Sequence, residues 1–141
     1  MTALRIRTQD VIQHFVRIVV AVVMAVLMAL IVATPSRAQG QTWGDVATTI
    51  NGIIDEGVAA FRAGDAKGGK DKVNDAYYKN YETTGMEKQV MARISGARVS
   101  QVEMEFSLLK KAMTDNAASD VDTHAATLKQ YVTEDAATLD G

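Results

Sequence analysis

The sequence predicts an all-α protein, an antiparallel up-down four-helix bundle that follows an N-terminal signal or anchor helix. Three observations carry this. The single proline, Pro35, leaves residues 39–141 without a helix breaker of that kind. Apolar residues recur every three or four positions through four successive segments. Alternating β-branched or aromatic runs, the mark of strands, are scarce.

The N-terminus reads as a targeting segment. Residues 1–17 carry Arg5, Arg7 and Arg17 against one acid, Asp10, and the 16 residues from Ile18 to Ala33 are uninterruptedly apolar. Ser36 and Ala38 then supply the small residues that signal peptidase requires at −3 and −1. The expectation is a signal peptide over 1–38, cleaved after Ala38, with an uncleaved anchor as the alternative. The apolar run is shorter than the ~20 residues of an ordinary spanning helix. Either form places the 103 residues from Gln39 to Gly141 in a periplasmic or extracytoplasmic setting as one helical domain. That portion has 11 Lys and Arg against 16 Asp and Glu, a net of −5. The acidity disfavours nucleic acid as a partner and suits cations. No cysteine is present, which excludes thiol catalysis, disulfides and zinc knuckles. With His124 the one histidine after residue 38, haem ligation is not expected.

The first helix is predicted from Trp43, Val46, Ala47, Ile50, Ile53, Ile54, Val58 and Phe61, with Gly64 as its stop and Asp65 as the cap of the second helix. That second helix runs from about Ala66 to Thr83, with Val73, Tyr77 and Tyr81 on an inward face, the tyrosine hydroxyls at the core's edge, and Asp75, Tyr78 and Glu82 on a neighbouring face. Gly85 interrupts it. The third starts after Thr84 with Met86, Val90, Met91 and Ile94, is kinked or broken near Gly96, and continues through Val99, Val102, Phe106, Leu109 and Met113. The fourth spans about Ser119 to Leu139, capped by Ser119 or Asp120; Asp135 is the one poor fit on its inward stripe. Met86, Met91 and Met113 read as core fillers, and His124 as a structural or surface residue.

Chemistry concentrates between Asp75 and Glu103. Tyr78 and Glu82 are neighbours on a helix surface, Asp75 lies one turn earlier, and Glu87 comes after the Gly85 break. If the second and third helices pack together, Glu82, Glu87 and Glu103 could converge, as carboxylates do in oxygen-rich metal sites of bundles. Such donors suit iron(III), manganese or calcium. Alternatively the glutamates are helix ends, because Thr84-Gly85-Met86-Glu87 and Ser100-Gln101-Val102-Glu103 both fit the capping-box pattern. No nucleophile triad, Gly-x-Ser-x-Gly turn or phosphate loop occurs, so a non-enzymatic protein is expected.

Asp75-Ala76-Tyr77-Tyr78, Tyr81-Glu82, Gly85-Met86-Glu87 and Glu103-x-x-Phe106-x-x-Leu109 together resemble the extracytoplasmic helical domain of bacterial high-affinity iron permeases. In that family an Ala-Tyr-Phe-x-x-Phe-Glu-x-x-Gly-Leu-Glu pattern precedes a Glu-x-x-Phe-x-x-Leu/Arg helix. The resemblance covers Asp75 to Lys111, about a third of the chain after residue 38. It implies that Glu82, Glu87 and Glu103, with Tyr78 as an auxiliary, are tied to iron handling. The family's permease segment and its Arg-Glu-Gly-x-Glu motif do not occur in this sequence. The implied protein is an exported module that holds an iron ion or delivers it to a membrane iron permease. The alternative is a structural subunit without metal, docked on a membrane complex or on a second copy of itself.

Overall fold

Thr42 and Asp45 open the first helix by exchanging hydrogen bonds. The Asp45 amide donates to Thr42 Oγ1 and the Thr42 amide to Asp45 Oδ2, each at 3.0 Å. The computed structural model describes residues 40–141, and the signal or anchor assigned to residues 1–38 lies outside the described residues. All regular structure among the described residues is helical. Helix α1 spans Trp43–Arg62 and stops at Gly64, whose φ of +90° only glycine adopts readily. Asp65 Oδ1 accepts from the Gly68 amide at 2.7 Å and starts α2, Ala66–Asp75. The limits of α1 and the start of α2 agree with the sequence expectation.

From Ala76 to Glu82 the chain continues as a π-helix, where the apolar spacing predicts an ordinary α-helix. The π form is rare and is found mostly as short bulges, often at functional sites. Polar side chains bond to its carbonyls: Asn80 Nδ2 donates to the Asp75 carbonyl at 3.0 Å, and Thr84 Oγ1 donates to the Asn80 carbonyl. The widened turn breaks the α-helical equivalence of positions four apart. Tyr81 is fully buried, whereas Tyr77 is turned to the edge of the core.

Gly85, at φ +85°, ends the π segment and precedes α3, Met86–Arg93. The next break is complete. Ser95 is extended, and its hydroxyl accepts from the Arg98 amide at 3.1 Å to begin α4, Gly96–Thr114. Both capping boxes read from the sequence are absent. Thr84 bonds back into the π segment, and Ser100 lies inside α4. Helix α5, Ala118–Asp140, starts without a side-chain cap, so Ser119 and Asp120 do not serve as one. Met91 is 54 % exposed, not a core filler, while Met86 and Met113 are buried.

The core is built from Ile50, Ile54 and Phe61 of α1, Val73 of α2, Tyr81, Met86 and Val90, Phe106, Leu109 and Met113 of α4, and Val121, Leu128 and Val132 of α5. Successive cross-links run in opposite chain directions. Between α1 and α5, Gly44 meets Asp140, Asn51 meets Thr133 and Arg62 meets Asp122. Between the α2–π helix and α4, Lys70 meets Thr114, Asn74 meets Lys110 and Tyr77 meets Glu103. Helices α1 and α2 approach each other closely at two buried glycines. A Cβ on Gly69 would lie 2.7 Å from the Gly57 carbonyl oxygen, and one on Gly57 would lie 2.9 Å from that of Gly69.

Two glycine substitutions should therefore act with opposite sign. Gly69→Ala forces backbone apart and is expected to destabilise by about 1–3 kcal/mol. Gly52→Ala, exposed within α1 and with nothing within 4 Å of its Cβ, should stabilise by ~0.5–1 kcal/mol. Urea denaturation of the two variants measures both.

Candidate functional site

The turned-out Tyr77 is the centre of the site. Its hydroxyl lies 3.1 Å from Glu103 Oε1 of α4 and 3.4 Å from Glu87 Oε2 of α3. A phenol has one proton to donate, so the two carboxylates share it, and the shorter contact to Glu103 takes the larger part. Phe106 holds the ring from the side, edge-on at 5.2 Å between centroids, and Tyr78 packs edge-on at 4.8 Å. Burial first, then the hydrogen bond to Glu103, then the charges of Glu87, Glu103 and Glu82 push the Tyr77 hydroxyl well above the usual phenol range. The phenol is thereby held protonated.

The structure treats the five sequence candidates differently. Glu87 and Glu103 are brought together at Tyr77. Glu82 is exposed, yet its charge reaches the Tyr77 hydroxyl. Tyr78 is 55 % exposed and lines a pocket of about 250 Å³ with Tyr77, Glu103, Phe106, Ser107 and Lys110. Asp75 is turned to Lys79, 2.8 Å away at the surface. Tyr77, read from the sequence as a core residue with its hydroxyl at the edge, packs against the core in that way, and its hydroxyl meets the two glutamates.

No three His, Cys, Asp or Glu side chains converge at metal-binding distance among the described residues. What converges is one phenol and two carboxylates, an all-oxygen set whose chemistry fits a hard cation.

A second polar system lies behind the aromatic cluster. Asp135, nearly fully buried on α5, accepts from Arg98 Nε at 2.6 Å. Arg98 also reaches Glu134 at 2.8 Å and the Tyr131 carbonyl at 3.2 Å, and its guanidinium stacks 4.1 Å from the Tyr131 ring centroid. Burial outweighs Arg98 and raises the Asp135 carboxyl above its ordinary range. Among the described residues Asp135 Oδ2 and Tyr81 Oη are buried without hydrogen-bond partners. Burial, and then the charge of Asp135, pushes the Tyr81 hydroxyl far up. Further along the α4–α5 contact, His124 Nδ1 lies 2.8 Å from the buried Glu105 carboxylate, a structural placement.

The phenols make stability pH-dependent on the alkaline side. A hydroxyl whose folded pKa exceeds its unfolded value stabilises the fold fully below the unfolded pKa, ~10 for tyrosine. That contribution is lost as pH rises from there through the folded pKa. Stability should fall from about pH 10 upward, and Tyr81→Phe should flatten the fall, read by urea denaturation across pH 8–11. At neutral pH Tyr77→Phe, which strips both glutamates of their donor, should cost roughly 1 kcal/mol in the same assay. Comparison with known proteins yields no matching family model, no matching curated protein and no matching solved structure.

Proposed function

We propose that this chain is a non-enzymatic, exported metal-handling module that holds an iron ion at Tyr77, Glu87 and Glu103 and passes it to a membrane permease. One observation supports this above the others: two carboxylates from different helices meet at one tyrosine hydroxyl, with no lysine or arginine paired to either among the described residues. A bound cation would supply the counter-charge that neither carboxylate has in the fold. The all-oxygen donors favour iron or manganese over copper(I) or zinc. Glu82 adds negative potential at the rim, and Tyr78 lines the approach; Asp75 takes no direct part. The fold in this reading is an antiparallel up-down four-helix bundle, formed by α1, α2 with its π continuation, α4 and α5, with α3 as a short insertion. The opposite directions of the successive cross-links support it. Export rests on the sequence of residues 1–38, and the permease partner rests on the family resemblance.

Tyr77 gives the proposal a direct readout. Iron(III) added to the protein should produce a visible phenolate-to-iron absorption band. Tyr77→Phe should abolish the band, and Glu87→Gln combined with Glu103→Gln should abolish binding in isothermal titration. Glu82→Gln should weaken binding only a few-fold, a rim charge contributing under ~1 kcal/mol. Absence of binding by iron and by manganese alike would refute the proposal.

A structural subunit is the second reading. The Tyr77 hydrogen bonds join the π segment to α3 and α4 without any metal. In that case Glu87→Gln lowers the melting temperature while iron leaves it unchanged; a metal-binding fold instead melts higher with iron.

A further inference from the structure

We infer that the face formed by α4 and by α2 with its π continuation is self-complementary in charge, and that a second copy of this chain docks on it about a two-fold axis. The inference goes beyond the metal reading and needs no bound ion.

Charge divides this face into two halves. Toward Thr114 lie two ammonium groups. Lys70 Nζ donates to Thr114 Oγ1 at 3.1 Å and Lys110 Nζ to Asn74 Oδ1 at 3.0 Å, and both acceptors are neutral. The other lysines of α2 and α4, namely Lys67, Lys72 and Lys111, are each paired with a carboxylate. Only the two that border the α2–α4 seam keep an uncompensated charge among the described residues. Toward Gly85 lie the carboxylates. Glu87 and Glu103 meet the Tyr77 phenol, and the exposed Glu82 makes no ion pair among the described residues. Glu103 and Lys110 line the same recess of α4, seven residues and ~10 Å apart along its axis, and they do not pair. Between the halves the face is open and partly apolar. Tyr78 is 55 % exposed and stands with the exposed Ser107 beside Phe106.

A two-fold axis near Ser107, which lies between Glu103 and Lys110 on α4, superposes unlike halves. It sets Lys110 of one copy over Glu103 of the other. Lys70 lies about one turn beyond Lys110, level with Thr114. Glu82 lies about one turn beyond Tyr77 in the opposite direction. The same axis therefore sets Lys70 of one copy over Glu82 of the other. Each pair occurs twice, as an isologous contact requires. The two Tyr78 rings cover each other close to the axis and lose their exposure to water. A face only two helices broad gives a weak dimer, micromolar or weaker, whose affinity falls with ionic strength.

The test is the association state of the exported, purified protein, measured by sedimentation equilibrium in metal-free buffer with a chelator. A monomer–dimer equilibrium is expected at about 50 mM salt, weakened at least tenfold at about 500 mM. Lys70→Glu with Lys110→Glu makes the face acidic, and Glu82→Lys with Glu103→Lys makes it basic. Each double variant alone should stay monomeric, and an equimolar mixture of the two should form a heterodimer. If Glu103→Lys prevents folding, Glu82→Lys alone takes its place, because it leaves the Tyr77 hydrogen bonds intact. That variant should associate more weakly than the parent protein and be partly restored by the acidic double variant. A monomer at low ionic strength, dimers that persist in the charge-reversed variants, or no heterodimer on mixing each overturns the inference. None of these outcomes bears on the metal reading, which iron titration decides separately.

Discussion

Gly69 is the point on which the rest of the domain leans. The backbone of α1 comes against it at Gly57, the Cβ of Phe61 stands over it, and the Met113 sulfur of α4 fills the third side. Three helices thus set their spacing at a position where no side chain intervenes. From there the α2–π helix and α4 are pinned rung by rung, through Lys70 and Thr114, then Asn74 and Lys110, to Tyr77 and Glu103. With no disulfide available, this close packing takes the role that a covalent link takes in many small secreted domains.

The π segment, Ala76–Glu82, interrupts the regular helix that this packing holds. A continuous α-helix would keep Val73, Tyr77 and Tyr81 on one buried stripe. Within the π segment Tyr81 is inside, with its hydroxyl unpartnered among the described residues, and the Tyr77 hydroxyl lies where two helices present glutamates. Asn80 and Thr84 add side-chain hydrogen bonds to the carbonyls of this segment. A polar, threonine-rich end to this helix is what the irregular backbone requires.

Much of the fold is legible in the sequence. The limits of α1, the left-handed stop at Gly64, the Asp65 cap and the break at Gly85 derive from side-chain periodicity and glycine's freedom at positive φ. The break at Ser95 is legible only approximately, because Ser95 caps Arg98 without the glutamate that completes a recognisable box. The site is legible by region rather than by role. Glu87 and Glu103 stand out in the sequence, but whether they cap helices depends on where the helices begin, and Thr84 bonds back into the π segment while Ser100 lies inside α4. Asp135 looks like a flaw in a stripe because its partner, Arg98, lies 37 positions away, and non-local pairs leave no periodic trace.

The Asp140 carboxylate accepts from the amides of Trp43 and Gly44 at 3.0 and 2.8 Å. It places a negative charge at the positive end of α1 and satisfies donors that a helix otherwise leaves open. Topologically, this bond makes the described residues a nearly closed ring, with the first turn of the first helix and the last turn of the last helix meeting at one pole. The domain's integrity therefore depends little on which point of that ring serves as the chain's beginning, and segments joined ahead of Thr42 or after Asp140 would leave from the same end, side by side.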